Sequence, residues 1–484
     1  MGNTCCQDRT TDPPSRVDLP KPPRPATSLP TNIELKTVSF LPLLLPIAKL
    51  YRPFTVLEQG ELCSTALVEE ISTGQRYILK TVQLGEAASR RLESTKQEVS
   101  IVSKLDHPNI SKVKACFQTS PCLYLLSEAG ETSLHSHLFT TFSLSEAHAA
   151  QVMKQVFSIV AYCHSQHITL RTLSLRSFHL TSKTSLDVRL VDFAGACAVK
   201  GRKERLEPIV EWQAPETLRP KYNEKCDLWS CGFLLFFLIS GESPYLMSQS
   251  EDIEAKVRSG AVTYSSLRWS GRTQALTTLL SRLLAVNPAE RPSAQDCLAD
   301  PWISQFCAED KYPDMHRVTE QLQLYRHSKE WKRAVETFVL QRVLSEEQLK
   351  AKKALFKALD HNSDGFISQK ELSDAFKSVM SANKAESVAV QVLASLDSNQ
   401  DGLIDYSEFL LAVADSEELL SPEHLDKAFN ILDSNQDGYV SVEDLKLHFE
   451  EGEEGSWRAL FMKVAKRPED SMDYRKFVDL LRKP

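Results

Sequence analysis

Three runs of oxygen-bearing side chains stand out in the last third of the chain, each twelve residues long. In the first, Asp360, Asn362, Asp364, Ser368 and Glu371 fall at places 1, 3, 5, 9 and 12, with Gly365 at place 6 and the carbonyl of Phe366 at place 7. The second repeats the pattern with Asp397, Asn399, Asp401, Leu403, Asp405 and Glu408, and the third with Asp433, Asn435, Asp437, Tyr439, Ser441 and Asp444. Oxygens at this spacing wrap around a single Ca2+ ion, and the glycine makes the sharp turn. The runs start 37 and 36 residues apart, so a chance acidic turn does not account for them.

Asp444 is one methylene shorter than the Glu that closes the other two, which predicts weaker Ca2+ binding or more Mg2+ at the third. A fourth copy has decayed, with Ala465 and Arg467 at its first and third places and Lys476 at its last. A cation cannot coordinate a cation, so this copy is expected to be structural only. Apolar residues at helical spacing flank the loops, for example Leu355, Phe356 and Leu359 before the first and Leu372 and Phe376 after it. Residues 345–484 therefore read as an all-α region of helix–loop–helix hands, the first paired with the second and the third with the decayed fourth.

A second set of motifs lies in residues 51–306. Tyr77-Ile78-Leu79-Lys80 is followed by Glu98, His107-Pro108-Asn109-Ile110, Leu123 to Glu128, Asp192-Phe193-Ala194, Ala214-Pro215-Glu216, Asp227 and Arg291. In order and interval these residues resemble a eukaryotic protein kinase, and with the hands behind them the chain resembles the calcium-dependent protein kinases. The resemblance implies an α+β fold: a bilobal protein-kinase-like domain, then a calmodulin-like EF-hand domain. It also implies a Lys80–Glu98 pair, an Arg291–Glu216 pair, and ATP with Mg2+ among Lys80, Glu98, Glu128 and Asp192.

The catalytic loop departs from that family. In place of His-Arg-Asp-Leu-Lys-Pro-Glu-Asn the chain reads Leu170-Arg171-Thr172-Leu173-Ser174-Leu175-Arg176-Ser177. Thr172 cannot take a proton as the family's aspartate does, Ser174 lacks the positive charge that steadies a moving phosphoryl group, and Ser177 is a poor metal ligand beside Asn. The Gly-rich loop keeps one glycine, Gly60, between Glu58 and Glu61. Between Phe193 and Gln213 no Ser, Thr or Tyr is available for phosphorylation, so Arg171 is expected to seek Glu204 or Glu207 instead. Lys80, Glu98 and Asp192 leave two readings open: a nucleotide site with one magnesium ion, or a buried ion pair and a loop anchor.

Residues 307–344 form a junction. Trp331, Val335, Phe338, Val339 and Leu340 make an apolar stripe, and Arg326, Lys329, Lys332, Arg333 and Arg342 supply charge. Such a helix reads as an intramolecular target of the hands, which Ca2+ would cause to open and recapture it. Ser345-Glu346-Glu347-Gln348 forms a capping box where the first hand begins.

At the other end, Gly2 with Cys5 and Cys6 forms a dual acylation signal, myristate plus palmitate, ahead of seven Pro in residues 11–30. Residues 1–50 are read as this lipidated terminus and spacer. Residues 345–484 carry 17 basic and 28 acidic side chains, which argues against nucleic acid as a partner. The eleven scattered Cys fit a reducing compartment, and no apolar run is long enough to span a bilayer. The expectation is a cytoplasmic, membrane-associated calcium sensor on a pseudokinase scaffold, its protein partners unspecified. The alternatives are an active Ser/Thr kinase with an unorthodox catalytic loop and a lipid-anchored calcium buffer.

Overall fold

The computed structural model describes residues 40–482 apart from 43–46, 60–62, 72–73, 84–87, 120–121, 129, 183, 199–210, 221, 246–252, 261, 263–268, 308–314, 325–329, 442–443 and 446–470. A six-stranded sheet opens the chain, built from β1 (Phe40–Pro42), β2 (Tyr51–Gln59), β3 (Cys63–Glu70), β4 (Arg76–Gln83), β5 (Val113–Gln118) and β6 (Cys122–Glu128) in the order β1-β5-β6-β4-β3-β2. β2 through β4 form an antiparallel meander, and β4 pairs β6 from Tyr77 opposite Glu128 to Gln83 opposite Cys122. The helix Ala88–Val102 follows the meander.

Part of the region read as N-terminal spacer belongs to this body. β1 pairs in parallel with β5, Phe40 opposite Cys116, and a short helix Ile47–Leu50 leads into β2. The open edge of β5 offered unpaired backbone groups, and three residues of Phe-Leu-Pro satisfied them. Pro42 within the segment and Pro46 just after it hid that outcome.

The second lobe is helical. Lys225–Ser240 is apolar on all sides and buried almost throughout, as such a helix must be. Glu146–Ser165 runs beside it, started by Ser145, whose hydroxyl accepts the His148 N–H. The core extends from Val99 and Val102 in the first lobe through Trp229 and Trp302, and it takes in Phe366 of the first calcium loop.

A separate core joins the junction to the hands, from Met315 through Val335, Phe338 and Val339 to Phe409, Phe477 and Leu481. The junction helices are Met315–Leu324 and Glu330–Phe338, with a π turn at Val339–Val343. Ser345 donates from its N–H and hydroxyl to Gln348 Oε1 where the first hand's helix starts. Within the hands, Ile367–Ser368 pairs antiparallel with Leu403–Ile404, and Tyr439–Val440 with Met472–Asp473. The decayed fourth copy thus still supplies the strand that closes its lobe.

Candidate functional site

The cleft between the lobes keeps its ion pair. Lys80 Nζ lies 2.8 and 2.9 Å from the two oxygens of Glu98, and 3.5 Å from Asp192 Oδ1. Burial pushes the Glu98 carboxyl up against the pull of Lys80. Asp192 Oδ1 also accepts the Ala194 N–H at 3.2 Å. Glu128 is turned elsewhere: its carboxylate bonds Arg189 Nη1 at 2.7 Å and Lys114 Nζ at 3.2 Å, and these cations bring it down to about 2 despite burial. Its carbonyl accepts the Ser111 hydroxyl at 2.9 Å. Any contact of Glu128 with a nucleotide would therefore fall to its backbone. Glu58 and Gln59 lie at the end of β2, and residues 60–62 of the Gly-rich segment lie outside the described residues.

The loop after Ile168–Thr169 is closed on itself. Asp227 holds its backbone, with Oδ2 accepting the Leu170 N–H at 2.9 Å and Oδ1 the Arg171 N–H at 2.6 Å, while His164 Nε2 sits 2.9 Å from Oδ2. Arg171 is held at φ 66°, and its guanidinium donates to the Gly195 carbonyl and, at 3.3 Å, to Tyr222 Oη. Glu204 and Glu207, its expected partners, lie outside the described residues. Thr172 packs so tightly on Gly195 that a Cβ there would overlap both Oγ1 and Cγ2 of the threonine. Ser177 is 1% exposed, and its hydroxyl accepts from the Ser174 N–H at 3.2 Å and donates to the Thr172 carbonyl at 3.4 Å. Ser174 Oγ accepts the Arg176 N–H at 3.2 Å. No carboxylate replaces the absent base in residues 170–177, and Ser177 is committed to the loop, so these residues do not fit a metal held by two side chains. Arg291 bonds Glu216 through both nitrogens at 2.6 and 2.8 Å, which fixes the lobe below.

The calcium loops are organised differently. In the first, Asp360 accepts the Asp364 and Gly365 N–H groups at 3.0 and 2.9 Å, and Glu371 accepts those of His361 and Asn362 at 3.0 and 3.2 Å. Asp397 with Glu408 and Asp433 with Asp444 repeat most of this network in the other two. Gly365, Gly402 and Gly438 have φ of 90°, 83° and 85°, which a side chain would strain. In the first loop the Asp360 and Glu371 carboxylates accept backbone N–H groups of the loop itself. The donor set nonetheless fits a hard cation. It is all oxygen and anionic, and burial with Asp364 and Glu371 alongside pushes Asp360 well above the usual carboxylate range. Asn362, Asn399 and Asn435 each bond the aspartate two residues on. Ser368 and Asp405 cap the exiting helices at place 9, Ser441 accepts the Asp444 N–H, and Phe366, Leu403 and Tyr439 lie in or beside the short strands at place 7. Lys476 is described, whereas Ala465 and Arg467 lie outside the described residues.

The first two hands sit on the kinase-type body. The Phe366 ring lies 5.2 Å from that of Tyr162, and a Cβ on Gly365 would be 2.7 Å from both His107 and Tyr162. Asp106 Oδ2 accepts the Ser407 N–H at 2.6 Å, and Lys112 bridges to Asp106 Oδ1 at 2.9 Å. On the entering helix, Lys353 and Lys357 pair with Asp187 at 3.1 and 2.7 Å and hold its carboxyl well below the usual range despite burial. Arg342 of the junction donates to the carbonyls of Val113, at 2.6 Å, and Lys114, while Lys114 returns a bond to the Gln341 carbonyl at 2.8 Å. Sequence reasoning missed Asp106, Tyr162, Asp187 and Ser407. Only Lys353 and Lys357 carried a hint, as two basic residues one turn apart on their helix. The junction's Val335, Phe338, Val339 and Leu340 pack among the hands, Trp331 has no described side chain, and Arg326 and Lys329 lie outside the described residues, as do Gly2, Cys5 and Cys6.

A bilobal kinase-type body continuous with paired calcium hands defines the class. Comparison with known proteins agrees: a protein kinase domain model matches residues 51–303, and an EF-hand domain pair matches residues 348–414 and 386–450. Calcium-dependent protein kinase 4 of Plasmodium berghei is 28% identical over 455 residues, covering 89% of this chain and 86% of that protein. Calcium-dependent protein kinase 27 of Arabidopsis thaliana is 30% identical over 426 residues, covering 85% and 87%. The chain belongs to the calcium-dependent protein kinase family, with a mixed α+β fold and calcium-binding EF-hands. Among the described residues no helix is long and apolar enough to cross a membrane.

Proposed function

We propose that this chain is a calcium sensor whose kinase-type body has given up phosphotransfer and serves as a scaffold. One observation carries the reading: the loop at residues 170–177 contains no carboxylate, and its hydroxyls bond its own backbone while Thr172 packs on Gly195. A proton leaving a substrate hydroxyl has no acceptor there, and the loss of a general base alone costs about 10²–10⁴ in rate. The first and second calcium loops, by contrast, lie against the body through Phe366, Gly365 and Ser407, so changes in their shape reach the body directly. Asp360, Asn362, Asp364, Phe366, Ser368 and Glu371 would hold Ca2+ in the first loop, with their counterparts in the second and third. The ion supplies the positive charge that the crowded carboxylates lack.

The Lys80–Glu98–Asp192 geometry favours a second reading, in which the cleft holds ATP and the chain retains kinase activity. A phosphotransfer assay on a peptide, with and without Ca2+ and beside Asp192→Ala, separates the two. Background labelling in every sample is expected. Calcium-stimulated labelling abolished in Asp192→Ala would establish the active kinase instead.

Membrane attachment through Gly2, Cys5 and Cys6 completes the proposal, and Gly2→Ala is expected to lower the share of the chain in the membrane fraction. A pure buffer role predicts no change in the body on Ca2+ binding. Hydrogen exchange at residues 106–113 distinguishes it, with a calcium-dependent change expected for the sensor.

A further inference from the structure

Two phenylalanines at one end of the helix Leu134–Thr141 have no place in the account above. The helix buries Leu134 and Leu138, 1% and 3% exposed, yet leaves Phe139 80% and Phe142 74% exposed. Isolated exposed apolar residues are common and need no explanation. Here a strained backbone accompanies them. Phe142 is held at φ 65° and ψ −46°, a conformation that bulky side chains rarely adopt, while its N–H closes the helix onto the Leu138 carbonyl at 2.7 Å. Glycine, with no Cβ, adopts a positive φ without this cost. Retaining a large ring there costs stability that folding does not return, which points to a partner.

The chemistry of the tip favours a bilayer. Residues 132–145 contain no Asp, Glu, Lys or Arg. The hydroxyls of Thr140 and Thr141 donate to the His137 carbonyl at 2.7 and 3.0 Å, and the Ser143 N–H donates to the Thr141 carbonyl at 2.9 Å. Taking the Phe139–Phe142 end out of water therefore strands no Asp, Glu, Lys or Arg side chain, His135 and His137 lying further back on the helix. Phe54, also exposed, differs in that Arg76 lies 4.0 Å from its ring centroid. The 39 residues ahead of β1 span up to about 130 Å when extended, so a terminus at the membrane leaves this tip free to reach the same surface.

We infer that Phe139 and Phe142 form a membrane-docking tip that enters the headgroup boundary of a phospholipid bilayer. It acts independently of the acylation proposed above, so its test uses a chain made without acyltransferases. Full-length protein is sedimented with vesicles of phosphatidylcholine and phosphatidylserine, beside Phe139→Ser, Phe142→Gly and the double variant. The unacylated parent is expected to bind, and the double variant to bind at least ~10-fold more weakly, since interfacial affinity follows the apolar area inserted. Phe142→Gly should leave the melting temperature unchanged or raise it, because glycine accepts this φ. Absence of parent binding would overturn the proposal and indicate a protein partner for the pair. Equal binding by the double variant, or a lower melting temperature for Phe142→Gly, would overturn it too.

Discussion

Residues 170–177 and residues 360–371 are both short polar loops that bond largely to themselves, yet they end in opposite chemical states. In the first, the Ser174 and Ser177 hydroxyls bond the loop's own backbone, and no carboxylate is present. In the second, carboxylates accept backbone N–H groups but keep negative charge in excess, so burial and mutual repulsion hold Asp360 far from its usual range. The first loop carries only the positive charges of Arg171 and Arg176 and offers no anion to a metal ion. A self-satisfied anionic loop still needs a cation.

That contrast can be broken or sharpened by substitution. The largest effect belongs to Asp360→Asn with Glu371→Gln, which should remove one Ca2+ from the stoichiometry in a calorimetric titration. An unchanged count would show that the first loop was never a site. Tyr162→Ala, which removes the body's contact with Phe366, should cost about 3–5 kcal/mol in denaturant unfolding and weaken the first loop more than the third. Equal weakening of both loops would deny the first its special link to the body.

Glu128→Gln tests a charge satisfied inside the body. The folded carboxyl sits at about 2, below its ordinary value near 4.5. Its contribution is therefore fully present above pH ~4.5 and is lost as pH falls toward 2, about 3 kcal/mol in all. The variant should be less stable at neutral pH and show a flatter acid limb; parallel profiles would contradict the ion triad with Lys114 and Arg189. Asp444→Glu lengthens the closing carboxylate of the third loop and should tighten Ca2+ there by about threefold to tenfold. The smallest response is expected from Thr172→Asp, which should raise peptide turnover by less than about tenfold, since Ser174 and Ser177 remain. A gain of 10² or more would mean that the base alone was missing.

Much of the candidate site was legible because its chemistry is local. Ligands at places 1 to 12 of a calcium loop lie within one turn of chain, and the catalytic loop's losses are visible residue by residue. The strand Phe40–Pro42 was not legible, because three residues ending in Pro become a strand only when an open edge such as β5 is present. Nor was the turning of Glu128 away from the cleft, which depends on Lys114 and Arg189 arriving from different strands.

By itself the sequence determined the inventory: three oxygen-rich loops and a decayed fourth, a kinase-type body with Thr172 where the family has aspartate, and an apolar junction stripe. Tertiary structure alone decided that Phe366 rests on Tyr162, that Asp106 receives Ser407 from 301 positions away, and that Arg342 reaches the carbonyls of β5. Ligand spacing is a property of covalent geometry and survives in one dimension. Burial and hydrogen-bond complementarity belong to pairs of surfaces, and these exist only once distant segments have met.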